Sequence, residues 1–164
     1  MDMTRRRMMA EGAGFSLAVA SLVLGSRPSL ANTVFRQPMT VYKDASCGCC
    51  GGWIDHMVKA GFRVTALDVN DLASVKARYG VSDELASCHT AVIAGYIVEG
   101  HVPAAAVDRL LSSRPSLRGL AAPGMPVGSP GMELPGQPPE RYDVIGFGGG
   151  ANQVFMSFRG TAPL

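Results

Sequence analysis

Three thiols stand within four residues, at Cys47, Cys49 and Cys50. The remaining cysteine, Cys88, is followed directly by His89. Cys47 and Cys50 form a C-x-x-C pair, the spacing of thiol–disulfide exchange catalysts. Such a catalyst needs two thiols, and a third beside them, Cys49, can attack and reshuffle the disulfide. A soft metal gives three adjacent thiolates a purpose, because copper(I) and zinc both favour sulfur. Four sulfurs and one imidazole exceed the four donors of a tetrahedral ion. The surplus points to a small cluster of ions, or to a site whose occupancy follows its redox state. A disulfide staple from Cys47 or Cys50 to Cys88 is the structural alternative. A single C-x-x-C does not match a zinc ribbon or finger, although a zinc-binding module remains a reading of the same residues.

The elements that must position these residues are legible around them. Thr40 to Lys43 reads as a short strand running into the cysteines. Gly51 to Ala60 has helical spacing, with Trp53 or Ile54, Met57 and Val58 on its apolar face and Gly61 as its stop. The start of that helix stabilises thiolates through its dipole. Phe62 to Val69 reads as a strand, and Asn70 or Asp71 caps a helix from Leu72 to Tyr79 that Gly80 ends. Ala91–Ala94 and Tyr96–Glu99 flank Gly95 as a hairpin, and Pro103 opens a helix to about Leu111. The order β-α-β-α-β-β-α predicts an α/β domain with a thioredoxin-like fold. In that fold cysteines follow the first strand, and the segment before the third strand passes beside them. Cys88-His89-Thr90 stands where ordinary members carry a cis-proline, so it is expected to face the cysteine cluster. Residues 114–140 hold seven prolines and read as one long Pro/Gly-rich loop. Tyr142–Phe147 and Gln153–Phe158 form a C-terminal β-hairpin.

Further candidate donors are weaker. His56 lies seven residues after Cys49 on a similar helical face and reads first as a packed or capping histidine. His101 precedes Val102-Pro103 and reads as a turn residue with a smaller claim to touch metal. Met125 and Met132 each follow a glycine in the loop. Thioethers bind copper(I), but anchoring of the loop in an apolar groove is the favoured role.

The first residues have the form of an export signal. Arg5-Arg6-Arg7 precede the uncharged stretch Ala13 to Leu24, which is too short for a comfortable membrane span. Thr4 to Met9 resembles a twin-arginine signal. Ser29-Leu30-Ala31 predicts cleavage after Ala31, leaving residues 32–164 as a single metal-binding domain in the periplasm, outside the membrane. Residues 1–31 hold four of the 15 basic and two of the 13 acidic residues, so eleven of each remain. A balance near zero excludes the basic surface that nucleic acid needs. At 47% hydrophobic and 17% charged, the chain is not disordered by composition.

Taken together, Cys47-Gly48-Cys49-Cys50 with Trp53 and His56, Cys88-His89-Thr90-Ala91, Gly95 to Pro103, and Gly119 to Glu133 with its prolines and glycines resemble the CopG-like family, long described as a domain of unknown function. The resemblance spans roughly residues 39–147. It implies a thioredoxin-like fold, periplasmic residence, copper binding and a part in copper resistance, among other copper-handling proteins. It implies Cys47, Cys49, Cys50, Cys88 and His89 as ligands, and a redox role coupling copper to thiols. The competing expectation is a thiol-disulfide oxidoreductase working through Cys47 and Cys50.

Overall fold

A computed structural model describes residues 37–164. The export signal, its twin-arginine character and the cleavage at Ala31 lie outside the described residues. Among the described residues no helix is long and apolar enough to cross a membrane.

Strand β1 (Pro38–Lys43) leads through a short turn into helix α1 (Gly48–Lys59). Cys47 is the helix N-cap and its side chain makes no capping hydrogen bond. The helix therefore begins three residues earlier than its apolar spacing suggests, and Cys49 and Cys50 sit in its first turn. Gly61 takes a φ of 90°, which ends the helix as expected. Strand β2 (Arg63–Asp68) returns parallel to β1. Helix α2 (Leu72–Tyr79) is capped by the Asp71 carboxylate, which accepts from the Ser74 amide at 3.0 Å, and Gly80 closes it in the left-handed region.

A single turn of 3-10 helix then leads to β3 (His89–Ile93) and β4 (Tyr96–Gly100), an antiparallel hairpin turning at Ala94-Gly95. Helix α3 (Ala104–Ser113) carries the chain to β5 (Gly119–Ala122), parallel to β4. Strand β5 corrects the expectation of an unbroken loop over 114–140. Its Gly-Leu-Ala-Ala has no β-branched or aromatic residue to announce a strand, yet all four residues are buried between β4 and β6. The irregular segment is thus 123–140. The expected C-terminal hairpin is present as β6 (Arg141–Phe147) and β7 (Gln153–Arg159), and a two-residue β8 (Ala162–Pro163) follows.

The eight strands of the described residues join one sheet in the order β2-β1-β3-β4-β5-β6-β7-β8. Both faces of the central strands β3, β4 and β5 are covered, while β2 is largely exposed and β7 partly so. Trp53 and Met57 of α1 and Val107 and Leu110 of α3 pack with Val41, Val98 and Leu120 in the larger core. Ile97 and Ala121, one residue out of phase, join Val81, Leu85 and Phe147 in a smaller core on the other face. The cysteine-bearing start of α1, the start of β3 and the exit of β4 meet at one end of this sheet.

Candidate metal centre

The four cysteine sulfurs lie within 4.8 Å of one another, as do a sulfur or ring nitrogen each from Cys88, His89 and His101. Cys88 belongs to both groups and joins them. Cys47 and Cys50 are bonded to each other as a disulfide. This corrects the staple considered from the sequence: the bond closes within the C-x-x-C and does not reach Cys88. Cys49 and Cys88 are free thiols, both partly buried. The Cys49 sulfur stands 3.6 Å from that of Cys47 and 3.7 Å from that of Cys88, while the Cys50 sulfur faces the Cys88 carbonyl at 3.5 Å. Burial and the neighbouring Cys49 push the Cys88 thiol up to about 12.

The two histidines approach the same sulfur. His101 Nε2 lies 2.9 Å from Cys88 Sγ, and His89 Nδ1 lies 3.4 Å from it. His101 Nδ1 donates to the Pro130 carbonyl at 2.7 Å. That bond places the ring hydrogen on Nδ1 and leaves the Nε2 lone pair aimed at Cys88, the arrangement that prepares a histidine to ligate. His89 is wholly buried, its ring centroid 4.4 Å from that of Trp53 and 5.1 Å from that of His101. Its Nε2 has no hydrogen-bond partner among the described residues. Burial, with the nearby His101 and Lys76, holds His89 well below the usual histidine range and so keeps it neutral, the state in which imidazole binds metal. Two free thiols, two further sulfurs held in the disulfide and two imidazoles directed at Cys88 fit a soft or borderline metal ion.

The reading of His101 as mainly a turn residue understates it. Its position depends on Gly100, whose φ of 72° swings the chain out of β4, and on a carbonyl 29 residues away. Neither dependence is visible locally. His56 belongs to neither donor group. Its Nε2 accepts the Ala104 amide at 3.1 Å, so it caps α3 and ties that helix to α1. Met125 is 53% exposed. Met132 exchanges backbone hydrogen bonds with Gly128 and Ser129, which is a turn-forming role.

Burial lowers the affinity of His56 for a proton. The unfolded chain takes up that proton near pH 6.5, before the folded chain does. The stability tied to this group is complete above about pH 6.5 and is lost as pH falls from there toward the lower folded value. A His56→Gln variant keeps an acceptor for Ala104 and removes the titration. Its unfolding free energy in urea is expected to fall less between pH 7 and pH 5 than that of the wild type. The other buried groups titrate in both chains and cancel; equal falls would remove His56 from the account.

The Pro/Gly segment closes over α1. Gly131 has a φ of 83°, and a Cβ there would lie 2.5 Å from the Cys49 carbonyl oxygen and from the Trp53 nitrogen. Both are backbone atoms of the cysteine helix and cannot swing aside. Gly131→Ala is therefore expected to destabilise the fold by about 2 kcal/mol, from left-handed strain and overpacking combined. A thermal melt followed by the emission of Trp53, the single tryptophan, reads it. A variant within 0.5 kcal/mol of wild type, a small surface-like change by the usual scale, would contradict this close contact.

Behind Cys88-His89 lies a buried ionic group that composition alone does not reveal. Glu99 is fully buried on β4 and pairs with Lys76 of α2. It accepts from the Ser87 amide at 2.7 Å and from Thr90 Oγ1 at 2.6 Å. One carboxylate thus grips the residues on either side of Cys88-His89. Burial raises its pKa, and Lys76 pulls it back. The sequence signal was a lone acid inside an apolar strand, Tyr96-Ile97-Val98-Glu99.

Fold and site together define an α/β protein with a thiol- and imidazole-rich centre at one end of its sheet. A family profile described as "Protein of unknown function, DUF411" matches residues 85–132, from before Cys88 to Met132. Two solved structures titled "Copper resistance protein copG", in Form 2 and Form 1, are each 45% identical to the chain with a TM-score of 0.70. The Form 2 match covers 75% of this chain and 98% of that one, and the Form 1 match covers 76% and 99%. No curated protein matches the chain. The chain belongs to the CopG-like family.

Proposed function

We propose that this chain is a copper-binding protein of metal homeostasis or resistance, holding copper(I) on Cys47, Cys49, Cys50, Cys88 and His89, with His101 added to that set. The observation that carries the reading is the convergence of the four cysteine sulfurs, with two imidazoles approaching that of Cys88. Copper(I) favours sulfur and imidazole, and six donors offer more than one ion needs, which supports a cluster. The titles of the two similar structures support copper over zinc. Cys47 and Cys50 join the donor set after two electrons and two protons open their disulfide, so metal capacity is tied to thiol redox state. The thioredoxin-like reading is supported by the strand order β2-β1-β3-β4, with β1 parallel to β2 and β3 antiparallel to both β1 and β4. Residence in the periplasm, with other copper-handling proteins as partners, rests on the arginine-led N-terminal sequence.

The test is a copper(I) titration of the reduced protein against a coloured copper(I) chelator, without oxygen. Trp53 emission is a second readout, because its ring packs on His89. More than one copper(I) per chain is expected. A triple serine variant at Cys47, Cys49 and Cys50 is expected to lose at least half of that capacity; unchanged binding would sink the proposal.

A disulfide across a C-x-x-C at a helix start also supports the second reading, a thiol-disulfide oxidoreductase. It is separated from the first by insulin reduction with metal-free protein. Turnover there that survives Cys88→Ser would favour the oxidoreductase.

A further inference from the structure

We propose that Cys49 and Cys88 form a second redox pair, and that the disulfide between Cys47 and Cys50 passes to them by exchange within the chain. The inference rests on reading this site as a reactive thiol cluster, and it requires no metal.

The sulfurs form a continuous path. Cys50 is bonded to Cys47, Cys47 touches Cys49 at 3.6 Å, and Cys49 touches Cys88 at 3.7 Å. These gaps are non-bonded contacts, about 1.6 Å longer than a sulfur–sulfur bond. Thiol–disulfide exchange requires a free thiol placed beside a disulfide sulfur, and Cys49 is so placed. Cys50 is less directly placed toward Cys88, because its sulfur faces the Cys88 carbonyl at 3.5 Å.

The exchange balances without an outside oxidant or reductant. In the first step Cys49, at a partly exposed position, gives its proton to solvent and attacks the Cys47 sulfur. The Cys47–Cys49 bond forms, the Cys47–Cys50 bond breaks, and Cys50 leaves as a thiolate that takes up a proton. In the second step Cys88 attacks the Cys49 sulfur while its proton moves to His101 Nε2, 2.9 Å away, so that no free Cys88 thiolate has to form. The Cys49–Cys88 bond forms, the Cys47–Cys49 bond breaks, and Cys47 leaves and is protonated in turn. One disulfide and two thiols enter, and one disulfide and two thiols emerge.

The two isomers present different donors at the same oxidation level. With Cys47 bonded to Cys50, the free donors are Cys49, Cys88, His89 and His101. With Cys49 bonded to Cys88, the sulfur common to both donor groups is consumed. Exchange therefore switches what the site can hold with no net transfer of electrons.

The tryptic map reads the two isomers directly. Cys47, Cys49 and Cys50 share the peptide 44–59, and Cys88 lies alone in 79–109. The full chain, freed of metal and carrying one disulfide, is equilibrated at pH 8, alkylated with N-ethylmaleimide in acid and digested without reductant. A fraction in which 44–59 is linked to 79–109 is expected, with fragmentation placing its two alkyl groups on Cys47 and Cys50. Absence of that linked pair overturns the exchange. A Cys47→Ser/Cys50→Ser variant, oxidised with diamide as a monomer, is expected to close Cys49 to Cys88 in most chains. A variant that melts like the wild type yet keeps both thiols free overturns the second pair. Copper(I) titration of the reduced chain is untouched by either result, so failure here and failure of the copper reading are told apart.

Discussion

Replacing Cys88 by serine is expected to weaken copper(I) binding at least about a hundredfold, roughly 2.7 kcal/mol, and to lower the number of ions held. Changes to groups that merely support a ligand cost about 10–100-fold, so losing a ligand should match or exceed the upper end. Cys88 is a severe position to lose because its sulfur is common to both donor groups and lies within 3.7 Å of Cys49, His89 and His101. A serine oxygen keeps the shape but is a hard donor that copper(I) disfavours. The measurement is chelator competition on reduced protein, with Trp53 emission marking whether His89 still responds. Affinity within threefold of wild type, with stoichiometry unchanged, would show that the two groups do not share this sulfur in binding.

The second large effect is structural. Glu99→Ala is expected to cost about 3–5 kcal/mol, the penalty for leaving a buried charge without its partner. Lys76 has a side chain only 14% exposed and would keep its charge opposite an alanine. The Ser87 amide and the Thr90 hydroxyl would lose the same acceptor. Urea unfolding measures the loss. The double variant Glu99→Ala/Lys76→Met is expected to recover much of it, because exchanging a buried ion pair for apolar groups is often neutral. A single variant costing less than 1 kcal/mol, or a double variant no better than the single, would show that the pair is not desolvated as its burial indicates.

Much of this arrangement was legible in local chemistry. The cysteines after a short strand, the Asp71 and Gly80 limits of α2, and Cys88-His89 opening the third strand all follow from cap residues, turn residues and alternation. What escaped was set at long range. Strand β5 is Gly-Leu-Ala-Ala, whose strand character comes from its neighbours and its burial and not from propensity. Spacing offered Cys47 and Cys50 as a C-x-x-C pair but did not decide between their disulfide, a bond to Cys88 and free metal-binding thiols. His101 looked like a turn residue because Gly100 hides the bend that aims it at Cys88. Glu99 reads only as the end of the Tyr96–Glu99 strand, because its partner Lys76 lies on a helix that precedes it by 23 residues.

The register of the β3–β4 hairpin has a kinetic meaning. Thr90 pairs with Glu99, and two residues before the one and after the other stand Cys88 and His101. The sulfur and both imidazoles are therefore gathered by a segment of fourteen residues with a two-residue turn. A hairpin of that size closes in about 1–10 μs. The three cysteines at the start of α1 lie some forty residues upstream and arrive with the slower pairing of β1 against β3. Half of the donor set is thus organised by contacts local in sequence, and the other half waits on the assembly of the sheet.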